Sequence, residues 1–107
     1  MRLLLDECVP RPLLRDLALY DAHHVVDLGW SAKRNGELLT LMIGERFDAL
    51  LTVDQSMPFQ QNLRASGIGV VIIIARTNRV QELRPLIPKV RNALDTILPG
   101  DLVTISG

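Results

Sequence analysis

Residues 50–62 read LLTVDQSMPFQQN. An apolar run stops at a single carboxylate, Asp54, and gives way to small and amide side chains with a proline. The N-terminus uses the same device: in residues 2–8, RLLLDEC, three leucines end on Asp6 and Glu7. In an open α/β sheet the carboxyl ends of parallel strands share one edge, where strand-to-helix loops converge and ligands gather. If both runs are parallel strands, Asp6 and Asp54 meet at that edge.

Working outward, the rest of the chain supplies the alternation such a sheet requires. Leu13, Leu14, Leu17 and Ala18 recur at helical spacing after Pro10 and Pro12. HHVVDL (23–28) is the next β-prone run, which sets His23 and His24 at a strand start, away from the acids. GWSAKRNG (29–36) reads as a loop by its Gly, Ser and Asn content. Asn35 then stands as N-cap of a helix with Leu38, Leu39, Met42 and Ile43 on one face. ALLTV (49–53) is a strand, and Pro58 opens a short helix that Gly67 stops. GVVIII (69–74) is apolar throughout, as a strand covered on both faces must be, and is expected at the centre of the sheet. Residues 80–98 are helical in spacing, with Pro85 and Pro88 predicting a separate or kinked lead-in, and PGDLVTIS (99–106) supplies a turn and a last strand. The order β-α-β-α-β-α-β-α-β predicts one domain over 1–107: a three-layer α/β/α fold, a mainly parallel sheet of about five strands, and right-handed crossovers.

Composition agrees and narrows the function. A chain of 107 residues with 48% apolar and 4% aromatic side chains builds one core from Leu, Ile and Val. Twelve basic and twelve acidic residues cancel, so any polyanion would be held by a local patch and not by a global field. A single cysteine excludes an internal disulfide and suits a reducing, cytoplasmic setting. No apolar run approaches the roughly 20 residues that span a bilayer, and three leucines before Asp6 do not make a signal peptide.

Adjacent strands lie about 4.8 Å apart, so two strand-end carboxylates can converge on one ion. Without a cation they would raise one another's pKa or repel. All-oxygen ligands favour Mg²⁺ or Mn²⁺ over zinc. A third carboxylate is available from Glu37, in the first turn of the helix after the GWSAKRNG loop. Each acid also has a plain structural reading: a helix cap or turn residue for Asp6 and Asp54, a favourable charge at a helix N-terminus for Glu37. Glu7 is expected to be solvated or paired with Arg11, and Trp30 to pack. Lys33, Arg34, Arg76 and Arg79 lie in loops that follow strands, a basic rim such as phosphodiester hydrolysis needs around an acidic centre.

Four blocks, MRLLLDECVPRPLLRDL (1–17), GWSAKRNGELL (29–39), FDALLTVDQSMPFQQNL (47–63) and LRPLIPKVRNAL with PGDLV (83–94 and 99–103), resemble a bacterial family of small PIN-like proteins of unknown function related to VapC-type toxin ribonucleases. The resemblance runs over nearly the whole chain. It implies a PIN-like domain whose clustered acids bind Mg²⁺ or Mn²⁺ and cleave RNA, often encoded beside a small antitoxin, and it implies a homodimer. Carried over, the acids fall on Asp6, Glu37 and Asp54. Many relatives have Asp-x-Asp after the third strand, and here the second position is Ser56, which would hold a second ion poorly. Gln60, Gln61 and Asn62 stand where they would touch phosphate or ribose, or form a polar helix face.

Two other readings compete. A receiver domain of two-component signalling also has an acidic pair after its first strand and an Asp followed by x-x-Met-Pro, like DQSMP (54–58). Receivers place Ser or Thr at the end of the fourth strand and Lys-Pro after the fifth, and neither is present. The third reading is an inactive PIN-like interaction module, its acids surviving as caps.

Overall fold

The computed structural model describes residues 1–56 and 63–107. Among these, five strands form one all-parallel sheet in the order β2-β1-β3-β4-β5: β1 Arg2–Leu5, β2 Asp21–His24, β3 Ala49–Thr52, β4 Gly69–Ile74 and β5 Leu102–Ser106. The helices are α1 Leu13–Asp16, α2 Asn35–Gly44, α3 Leu63–Ser66, α4 Val80–Leu83 and α5 Ile87–Thr96, with a 3₁₀ turn at Arg84–Leu86 joining the last two. None of these helices is long and apolar enough to cross a membrane.

Side chains of a strand alternate between faces, and here the alternation sorts the core into two layers. Leu3, Leu5, Ala49, Leu51, Val71 and Ile73 meet α1, α4 and α5 on the first face. Leu4, Leu50, Val70 and Ile72 meet Leu38, Leu39 and Met42 of α2, together with Leu63 and Ile68, on the second. The three-layer α/β/α arrangement expected from the sequence is therefore present.

Several details differ from expectation. The second strand is Asp21–His24, not 23–28, because its only partner, β1, turns away after Leu5; beyond His24 the chain folds into turns at 25–29. His23 and His24 thus lie at the carboxyl end of β2, on the acids' edge, with His24 in register with Leu5. The central strand is β3, while β4 is interior and one place off centre. As Pro85 and Pro88 predict, the 80–98 segment divides into α4, the 3₁₀ turn and α5. Helix α2 begins at Asn35, with Arg34 in the extended N-cap conformation. Gly67 does end α3, at φ +73°.

Nor do the crossovers share one hand. The chain steps from β1 to β2 over the first face, and back past β1 to β3 over the second. It then steps to β4 over the second face, and onward to β5 over the first. The last crossover is opposite in hand to the other three, against a strong general preference for right-handed ones. Coverage explains it: α1 is a single turn, and without α4 and α5 the first face would leave Leu3, Leu51, Val71 and Ile73 in water. Packing against α1 adds polar ties, from Tyr20 Oη to Asp95 Oδ1 at 2.9 Å and from Arg84 to Asp16 at 3.0 Å. The turn into β5 passes the Arg64 backbone so closely that a Cβ at Gly100 would lie 2.8 Å from its Cα, so only glycine fits there, at φ +81°.

Candidate functional site

The strand order reverses at β1, so the chain leaves β1 over one face and β3 over the other, opening a crevice between their carboxyl ends. Asp6 follows β1 directly, and its backbone N–H donates to Leu51 O at 2.9 Å, which holds it level with Thr52. Thr52 is fully buried, and its hydroxyl donates to Asp6 Oδ2 at 2.7 Å while accepting the N–H of Asp54 at 3.0 Å. One buried hydroxyl therefore links the Asp6 carboxylate to the backbone of Asp54. Asp6 Oδ1 accepts the N–H of Glu7 at 2.9 Å, and Asp54 Oδ1 accepts both the N–H (2.9 Å) and the hydroxyl (2.6 Å) of Ser56. Ser56, exposed in the turn after β3, thus orients Asp54.

Cys8 joins this network, its Sγ 3.5 Å from Thr52 Oγ1 and 3.7 Å from Asp6 Oδ2. Burial pushes its thiol above the ordinary value and the adjacent Asp6 carboxylate adds to the rise, against bonds from Thr52 and Val53. It is held as a neutral donor and not as a nucleophile.

Three ties shape the rim. Glu7 Oε1 accepts the N–H of Ala32 at 3.0 Å, so Glu7 anchors the loop that carries Lys33 and Arg34; Arg11, its expected partner, pairs with Asp27 at 2.7 Å. Asn78 Nδ2 donates to Cys8 O at 3.0 Å, drawing the loop after β4 over the end of β1. His24 is buried, and its Nδ1 accepts from Val26 N–H (3.1 Å), so its Nε2 carries the proton donated to Val9 O (2.7 Å). It is a structural brace. Trp30 packs edge-on against Phe47 at 5.9 Å, as expected.

The remaining sequence candidates lie around this centre. Glu37 is exposed in the first turn of α2, beside Lys33, Gly36 and Thr40 on a shallow cleft of about 440 Å³, and it takes no part in the Asp6–Thr52–Asp54 network. Lys33 and Arg34 are exposed. Arg76 is exposed after β4, at the mouth of an apolar cleft of about 610 Å³ that also includes Pro85 and Leu86. Gln60, Gln61 and Asn62 lie outside the described residues. Among the described residues no three His, Cys, Asp or Glu side chains stand close enough to hold a metal ion by themselves. The chemistry of the donors still suits a hard cation: Mg²⁺ is commonly bound by one or two carboxylates, with waters and substrate phosphate filling its remaining positions. Asp6 and Asp54 would be those two.

Sequence reasoning missed Thr52 and Cys8. The available signal was a hydroxyl two residues before the acid in an otherwise apolar strand, where a buried polar group needs a partner.

The fold and its crevice define a doubly wound parallel α/β protein with one acid after each of β1 and β3, beside the point of strand reversal. No family model, curated protein or solved structure matches the chain.

Proposed function

We propose that this protein is a metal-dependent ribonuclease of the PIN-like kind, the toxin half of a pair with a small antitoxin, using Mg²⁺ or Mn²⁺ at Asp6 and Asp54. The observation that carries the reading is the buried hydroxyl of Thr52, bonded to the Asp6 carboxylate and to the backbone N–H of Asp54 in the crevice between β1 and β3. A bound divalent ion would supply Lewis-acid polarisation of the phosphate and a water of lowered pKa. The chain's own residues do the rest. Thr52 and Glu7 N–H hold the Asp6 carboxylate by both oxygens, and Ser56 holds the Asp54 carboxylate through Oδ1. Arg76, exposed after β4, is the cation that would hold a backbone phosphate. Lys33 and Arg34 extend the cationic rim along the other side, and Glu37 is the acid that α2 would bring toward substrate held there.

The test is cleavage of a mixed RNA pool by the purified, antitoxin-free protein with Mn²⁺ or with EDTA. Activity is expected with Mn²⁺, to vanish in EDTA, and to drop at least about 100-fold in Asp6→Asn. A folded wild type that leaves RNA intact would falsify the reading and favour an interaction module.

A receiver-like phospho-acceptor is the second reading, favoured by the strand order, which is the one receivers use. Against it, β4 ends on Ile74 and is followed by Ala75, with no hydroxyl at either to meet a phosphoryl group, and the last crossover covers the first face. Stable labelling of Asp54 by acetyl phosphate would reverse this preference.

A further inference from the structure

The cations of the 3₁₀ turn and α5 are committed within the chain: Arg84 pairs with Asp16 at 3.0 Å, Lys89 Nζ donates to Ser106 O at 2.9 Å, and Arg91 donates to Asp16 O. Arg76, Gln81 and Glu82 differ. Among the described residues none of their side chains makes a hydrogen bond or an ion pair, and all three are exposed on one cleft of about 610 Å³. Ile74, Pro85 and Leu86 supply its apolar lining. Ile74 is exposed there, although the five residues of β4 before it are buried. A cleft of this size, apolar with a few polar groups, has the form of a small-molecule site. It also borders the acid crevice. Ile72 pairs with Thr52 across the sheet, so Ile74 and Asp54 each stand two residues past that pair, on adjacent strands.

We infer that this cleft is a guanine subsite for the RNA chain. The RNA source rests on the ribonuclease reading above, whereas the guanine chemistry stands on the cleft alone. A splayed-out base would lie on Ile74, Pro85 and Leu86, with Arg76 on its phosphate. The polar groups choose the base. A carboxylate only accepts hydrogen bonds, and Glu82 supplies one. Guanine presents two neighbouring donors on its Watson–Crick edge, N1–H and the 2-amino group, which match the two carboxylate oxygens. Adenine and cytosine each set a ring-nitrogen acceptor beside the amino group, and uracil sets a carbonyl on each side of its single N–H. Those acceptors would face the carboxylate and be repelled. The Gln81 amide can donate to guanine O6.

Chemical-shift titration of the full chain with the four nucleoside monophosphates, in EDTA, tests the cleft by itself. GMP is expected to bind about tenfold or more tighter than AMP, CMP or UMP. Glu82→Gln should abolish that preference, while Arg76→Gln should weaken all four alike. Both positions are exposed, so the variants are expected to fold. Cleavage with Mn²⁺ then tests the source: cuts in a mixed RNA pool should share a guanine at one fixed distance from the scissile bond, and Glu82→Gln should lose it. Equal affinity for the four nucleotides, or a preference indifferent to Glu82→Gln, overturns the subsite. Selective GMP binding with uncut RNA upholds it and overturns only the ribonuclease reading. Selective binding with cuts indifferent to guanine makes a free nucleotide the ligand and overturns the assignment to RNA.

Discussion

Strands β3 and β4 lie side by side in register, and for three residues they are equivalent: Ala49 faces Gly69, Leu50 faces Val70 and Leu51 faces Val71, all buried. At the fourth they part. Thr52 and Ile72 are partners on the same face, 0% and 2% exposed, one bearing a hydroxyl and the other only carbon. A hydroxyl is stable at that depth because β1, on its other side, presents the Asp6 carboxylate. Beside β4 there is no acid to receive one. The difference teaches where the chemistry lies: burial is uniform across the middle of the sheet, and the polar network begins only where the strand order reverses.

Truncation on the first face, where both strands bury only carbon, should treat the two strands alike. Leu51→Ala and Ile73→Ala each remove a fully buried side chain from the first-face core, and each is expected to cost about 2–5 kcal/mol in denaturant unfolding. A large gap between them would break the equivalence.

Thr52→Val sharpens the contrast. It leaves the Asp54 N–H and the Asp6 carboxylate short of a partner, at an expected cost of about 1–3 kcal/mol, and Thr52→Ser should recover most of it. If Thr52 positions the acids, the valine variant should also need more Mn²⁺ for half-maximal RNA cleavage. A purely structural threonine would lower stability without moving that metal dependence.

The smallest effect concerns Cys8. Its folded-state pKa lies above the unfolded value, so the stability it contributes is intact below about pH 8.5 and is lost as pH rises through the folded-state value. Wild type should therefore weaken in mild alkali more than Cys8→Ala does, and Cys8 should alkylate more slowly than a free thiol at pH 8. Equal alkaline profiles, measured by melting, would detach Cys8 from the Asp6–Thr52 network.

Much of this was legible beforehand because it depends on local pattern. Apolar runs of strand length between helical spacings gave the alternation, and the acids that end RLLLD (2–6) and LLTVD (50–54) marked the carboxyl edge. The helix breaks at Pro85 and Pro88 and the stop at Gly67 follow from backbone chemistry at single residues. Other features were not legible, since each depends on residues far apart in the chain. β2 is short because β1 is short, and its histidines consequently sit on the acids' edge.

What the sequence determined by itself is therefore the inventory: parallel strands, helices between them, and two acids at strand ends, all set by periodicity and side-chain chemistry. Tertiary structure alone decided the strand order, the opposite hand of the last crossover, and the meeting of Asp6 with Thr52 and Cys8. Those outcomes are choices among arrangements with equally good local patterns. They are settled by which helices must cover Leu3, Leu51, Val71 and Ile73, and by which buried polar groups find a partner.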